Sequence, residues 1–179
     1  MVLKGVTTCG LNKEYCSKIE KLIIFPIDED FTSFQLDNFI IVKELFIHDE
    51  RSTSFKIESL SEEIKNLPRL NRFHIELRAL KYLPNIFNNL SSLESVSFSI
   101  CNLSELVRTL LTHSSIKYLN ISNLQIVRIP SLNEMVNLNV FSLHWVTPVT
   151  RLIKIEGEIK YSNHIEYEYL KIPLENIPL

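Results

Sequence analysis

Apolar residues return along this chain in one phrase: an apolar residue, two variable ones, an apolar residue, one variable, then an apolar residue. Six copies stand out: Ile19/Leu22/Ile24, Val42/Leu45/Ile47, Leu70/Phe73/Ile75, Leu93/Val96/Phe98, Ile116/Leu119/Ile121 and Leu138/Phe141/Leu143. Their starts at 19, 42, 70, 93, 116 and 138 lie 23, 28, 23, 23 and 22 residues apart. A period of this size predicts a solenoid, in which no unit buries its apolar face alone and neighbours stack to close the core.

Strand side chains alternate, so the fourth and sixth places of each phrase are expected to enter the core while the residues between them point outward. The connecting segments carry helix signals. Ser59-Leu60-Ser61-Glu62 has the capping-box spacing before Ile64 and Leu67, Pro84 opens a turn through Ile86, Phe87 and Leu90, and Ser104 precedes Leu106, Val107, Leu110 and Leu111. Such crossovers suit parallel strands, and they predict helical pieces on a convex side with the sheet left as a concave face. The 28-residue interval has room for an extra loop at Arg51 to Ser54.

The fullest copy runs Leu93-Glu94-Ser95-Val96-Ser97-Phe98-Ser99-Ile100-Cys101-Asn102-Leu103. It resembles the leucine-rich repeat family, whose phrase is L-x-x-L-x-L-x-x-N/C-x-L, and Leu67-Pro68, Leu83-Pro84 and Ile129-Pro130 continue as that family's repeats do. The resemblance covers roughly residues 19–148. It implies an α/β leucine-rich-repeat solenoid with a parallel β-sheet on the concave face and short helices and loops on the convex face. It also implies a scaffold, adaptor or inhibitor role. The chain departs from the family at the ninth place, which holds Ile27, Glu50, Arg78, Cys101, Leu124 and Val146. Only Cys101 matches, so the other turns must be held in another way.

The ends depart from the phrase, as terminal units that cover an open core should. Residues 1–18 read as an N-terminal cap, helical around Lys13 to Lys18. Residues 149–179 read as a strand-rich C-terminal cap: Leu152, Ile153 and Ile155, then Ile159 and Tyr161, then Ile165, Tyr167 and Tyr169 alternate with polar residues around turns at Gly157 and Ser162-Asn163.

Composition narrows the function. With 179 residues, 45% hydrophobic and 22% charged, the chain fits one ordinary globular domain, and only 3 glycines argue against a glycine-rich phosphate loop. A net charge of −2 provides no basic field for nucleic acid, and apolar runs such as Phe39 to Val42 are too short to span a bilayer. The opening Met1-Val2-Leu3-Lys4-Gly5 begins no secretory apolar region, so a cytoplasmic location is expected. In that compartment Cys9 and Cys16 are expected as free thiols, and Cys101 as a packing residue.

The outward places define a candidate surface. Place three presents Lys21, Glu44, Arg72, Ser95, Tyr118 and Val140; place five presents Ile23, Phe46, His74, Ser97, Asn120 and Ser142; place seven presents Phe25, His48, Glu76, Ser99, Ser122 and His144. Place eight, also expected outward or at the strand's edge, holds Pro26, Asp49, Leu77, Ile100, Asn123 and Trp145. Six strands at about 4.8 Å span roughly 24 Å, the scale of one side of a standard protein interface. Aromatic ends beside a serine-rich middle suit protein recognition. The expected contacts to a protein partner are Phe46, His48, Asp49, Arg72, His74, Glu76, Tyr118, Asn120, His144 and Trp145.

Within that set His48, Asp49, His74 and Glu76 form the densest polar group, with His48 and Glu76 at the same place on adjacent copies. A carboxylate beside a histidine raises its pKa, which would make the contact pH-sensitive. Two imidazoles and two carboxylates are also zinc-ligand types, but such residues are ordinary on a solvated sheet, and no metal or other cofactor is expected. No Gly-x-Ser-x-Gly or His-Glu-x-x-His is present, and an open sheet lacks the cleft that catalysis uses, so no enzymatic activity is expected. The alternative is a structural subunit that contacts its neighbours through its ends or convex face.

Overall fold

The computed structural model describes residues 1–4, 12–26, 36–49, 57–103, 105–122, 128–129, 132, 134–144, 154–155 and 165–166. In chain order these form β1 (Val2–Lys4), α1 (Lys13–Cys16), β2 (Lys21–Phe25), β3 (Glu44–His48), β4 (Arg72–Glu76), β5 (Ser95–Ser99), α2 (Arg108–Leu111), β6 (Tyr118–Ser122), β7 (Arg128–Ile129), β8 (Val140–His144), β9 (Lys154–Ile155) and β10 (Ile165–Glu166). Single 3₁₀ turns lie at Leu36–Asn38, Glu62–Asn66 and Phe87–Asn89. The chain is α/β, with one all-parallel sheet in the order β1-β2-β3-β4-β5-β6-β8-β10 and a separate parallel pair, β7-β9.

Each of β2 to β6 and β8 begins at the third place of a phrase and ends at the seventh. Leu22, Ile24, Leu45, Ile47, Phe73, Ile75, Val96, Phe98, Leu119 and Ile121, at the fourth and sixth places, are all buried. Five of the six first places follow them: Val42, Leu70, Leu93 and Ile116 are fully buried and Leu138 nearly so, while Ile19 is partly buried. Each large aliphatic or aromatic side chain of this set contributes about 1.5–3 kcal/mol by leaving water, which makes the recurrent phrase a major source of stability.

A second buried column stands three residues before each first place. It holds Cys16, Phe39, Leu67, Leu90, His113 and Met135. Their carbonyls receive the N–H of the first-place residue in the turns Ile19 to Cys16, Val42 to Phe39, Leu70 to Leu67, Leu93 to Leu90 and Leu138 to Met135. The next backbone groups then join the sheet: Glu20 O accepts from Lys43 and Glu44, Lys43 O from Asn71 and Arg72, and Asn71 O from Glu94 and Ser95. Backbone groups that would be orphaned at the strand entrances are therefore satisfied by the preceding copy.

The connecting segments are shorter than the helix signals suggest. Ser61, not Ser59, caps the 3₁₀ turn Glu62–Asn66 by accepting the Glu63 N–H at 3.2 Å, because Ser59 is held in a parallel bridge to Tyr82. After Pro84 the chain makes one 3₁₀ turn, Phe87–Asn89, and among the described residues of the connections between phrases only Arg108–Leu111 is an α-helical turn. The 3₁₀ form covers more length per residue than the α form, which suits a short connection that must still return to the next parallel strand. The expected loop at Arg51 to Ser54, and Ser104, lie outside the described residues.

Both ends of the sheet carry a strand from outside the six phrases. Asn12 caps α1 by accepting the Glu14 N–H at 2.8 Å, and Cys16 of that helix is a buried free thiol. Val2–Lys4, which carries no strand pattern of its own, pairs with β2 in the register Val2↔Ile23, Leu3↔Ile24 and Lys4↔Phe25. At the other end β10 pairs with β8 and β9 with β7. Ile155 and Ile165 thus lie in strands as expected, while Leu152, Ile153, Ile159, Tyr161, Tyr167, Tyr169 and Cys9 lie outside the described residues.

Candidate functional site: the open face of the parallel sheet

Because the strands pair without slippage, residues at equal places become lateral neighbours. The fifth places form one row, Ile23↔Phe46↔His74↔Ser97↔Asn120↔Ser142. In the seventh row His48 pairs with Glu76, Glu76 with Ser99, and Ser122 with His144. A one-residue slip would turn both rows into the core and the core outward, so burial of the alternate residues fixes what this face displays.

The charges are ordered by the same register. In the third row Glu44 lies between two cations, 3.2 Å from Lys21 Nζ and 3.3 Å from Arg72 Nη1, and the Lys21 ammonium also sits 4.5 Å from the Phe46 ring centre. In the second row Lys43 pairs with Glu20 at 2.9 Å and Lys117 with Glu94 at 2.8 Å; this hydrogen bond holds the Glu94 carboxyl below its usual range. Phrase spacing alone signals both rows, since the partners occupy equal places in consecutive copies.

The histidines lie in an aromatic group at the start of the sheet. His48 stacks on Phe25 at 5.8 Å and on Phe46 at 6.2 Å, and His74 lies 5.7 Å from Phe46 and 5.3 Å from His48, centre to centre. His48 Nδ1 is 3.2 Å from Glu76 Oε2, with side chains only 25% and 31% exposed. Around His74, burial lowers the pKa, the neighbouring His48 lowers it further, and Glu76 opposes both. The carboxylate therefore does not dominate at that ring.

Asp49 leaves the expected cluster. Its carboxylate accepts the Arg78 backbone N–H at 3.0 Å and lies 3.3 Å from Arg78 Nε, so it fastens the turn after β4. After β5 the ninth-place thiol does similar work, with Cys101 Sγ 3.3 Å from Ser99 O and 3.8 Å from Ile75 O. Place eight is a correction: Leu77 and Pro26 are buried and not outward. The reason is that the strand ends at place seven, and the turn that follows aims place eight inward at these two copies.

Phe46, His48, Arg72, His74 and Glu76 thus share one part of the face, with Tyr118 and Asn120 two strands away on β6. Tyr118 is 49% exposed, and Asn120 donates to Ser97 Oγ at 3.1 Å while its own Oδ1 is buried with no donor among the described residues. His144 lies on β8 opposite Ser122, and Trp145 lies outside the described residues. The contribution of Phe25 to the histidine stack was not apparent from spacing, which marked it only as one more outward residue of the seventh row.

Among the described residues no helix is long and apolar enough to cross a membrane. No protein-family model matches the chain, and none of the curated proteins compared with it is significantly similar.

Proposed function

We propose that this chain is a non-enzymatic leucine-rich-repeat module that binds a protein partner through the open, concave face of its sheet. The observation that carries the reading is the unbroken register of outward rows across β2 to β6 and β8, which gathers aromatic, charged and small polar groups on one surface. Phe46, Arg72 and Tyr118 are side-chain types that anchor protein interfaces, and the serines between them leave room for a partner's side chains. The partner-binding set is Phe46, His48, Arg72, His74, Glu76, Tyr118 and Asn120, with His144 and Trp145 at the late end; Asp49 serves the turn instead. A cytoplasmic scaffold, adaptor or inhibitor fits this surface, and the absence of a basic field in the sequence disfavours nucleic acid.

The test uses the full chain. A partner found by affinity capture and mass spectrometry is titrated against the quadruple alanine variant at Phe46, Arg72, Tyr118 and Trp145, and against a control variant at Glu62, Lys65 and Arg108 on the opposite side. The expected result is binding lost in the first and kept in the second. Binding that survives all four face substitutions overturns the proposal in favour of contacts through the ends or the opposite side.

A further inference from the structure

The group formed by His48, His74 and Glu76 is more than a polar patch. One potential ligand atom from each lies within 4.8 Å of the others. The His48 Nδ1 to Glu76 Oε2 separation of 3.2 Å is close to the edge of a zinc tetrahedron, about 3.3 Å for bonds of about 2.0–2.1 Å. The widest separation closes by small side-chain rotations, since His74 and Glu76 are neighbours on the same face of β4 and His48 stands opposite Glu76 on β3.

Three features distinguish these residues from ordinary surface groups. The other carboxylates of this region are already neutralised, Asp49 by Arg78 and Glu44 by Lys21 and Arg72. Glu76 forms no ion pair with a lysine or arginine among the described residues; its partner is the His48 imidazole, itself a metal-ligand type. Phe46 against both imidazoles and Phe25 against His48 supply an apolar wall that orients the rings and lowers the local dielectric, as the outer shells of metal sites do.

We infer that His48, His74 and Glu76 form a binding site for one divalent transition-metal ion of the zinc class, with the solvent side left for water or a partner's donor group. Two imidazoles and one carboxylate suit zinc, nickel or copper better than magnesium or calcium, which prefer all-oxygen sites. Ligation does not compete with Cys101, whose thiol is buried and bonded to backbone carbonyls.

The experiment takes the full chain after chelator treatment and titrates it with Zn²⁺ by calorimetry, and with Co²⁺ while recording visible ligand-field bands. One equivalent of zinc is expected, with affinity at least tenfold lower in Glu76→Gln and in His74→Ala. Glu76→Gln preserves volume and hydrogen bonding, and its circular dichroism without metal checks folding, so the test stands even if a histidine variant fails to fold. No stoichiometric binding overturns the inference. So does affinity unchanged in a folded Glu76→Gln, or an intense thiolate-to-cobalt band. Loss of partner binding with zinc binding intact, or the reverse, separates this site from the proposed interface.

Discussion

His113 donates its Nε2–H to the carbonyl oxygen of Leu90 across 3.2 Å, within the column that Cys16, Phe39, Leu67, Leu90 and Met135 otherwise fill. A carbonyl can only accept, so the proton is on Nε2. Nδ1 is then buried with no hydrogen-bond partner among the described residues, and burial favours the uncharged ring.

This arrangement makes stability acid-sensitive. Burial lowers the His113 pKa, and the Leu90 and Phe87 carbonyls oppose that shift without cancelling it. The unfolded chain gains a proton near pH 6.5 whereas the folded ring resists it, so the stabilisation is fully present above about pH 6.5 and lost as pH falls through the lower folded pKa. Thermal melts between pH 8 and pH 5 are expected to show a decline that is shallower in His113→Leu, an apolar side chain that the same column already carries at Leu67 and Leu90. Equal slopes for the two proteins would exclude this origin.

The register predicts a sharp contrast between adjacent residues on β5. Phe98 is fully buried whereas Ser97 lies on the open face. Phe98→Ala is expected to cost about 3–5 kcal/mol, the range for truncating a buried aromatic. Ser97→Ala, which removes only the acceptor for Asn120, is expected to cost about 1 kcal/mol or less. Urea unfolding of both variants measures this; similar losses would contradict the facing of β5.

Cys101 is expected to be inert in the folded protein. Burial pushes its thiol pKa up to about 12, so at pH 8 almost no thiolate is present to attack an alkylating reagent. Iodoacetamide labelling read by peptide mass spectrometry is expected to modify Cys101 only after unfolding. Rapid modification of the native chain would show that the turn after β5 opens.

The strands were legible because their signal is local and repeated. Two apolar places per strand, six times over, leave one alternation that works, and the lateral neighbours of His74 or Glu44 follow by counting. The turns were less legible because their backbone groups are satisfied by whichever polar group lies nearest. Asp49 does this from the previous copy for Arg78, and the Cys101 thiol does it within its own turn and toward Ile75. Ile100, with φ of 54°, takes the left-handed conformation before Cys101 although its branched side chain disfavours it. Nothing in the residue type signals that turn.

His113 and Val2–Lys4 define the same limit. A histidine among polar neighbours reads as surface, and a three-residue start reads as tail; each acquires its role only when a neighbouring copy supplies a carbonyl or an open strand edge. The chain's own pattern therefore specifies which side chains enter the core and which rows face outward, since alternation and period are properties of consecutive residues. The folded assembly decides which outward groups meet. The 3.2 Å contact of His48 with Glu76, the withdrawal of Asp49 to Arg78 and the stacking of Phe25 and Phe46 on the histidines depend on side-chain distances across strands, which no stretch of sequence encodes by itself.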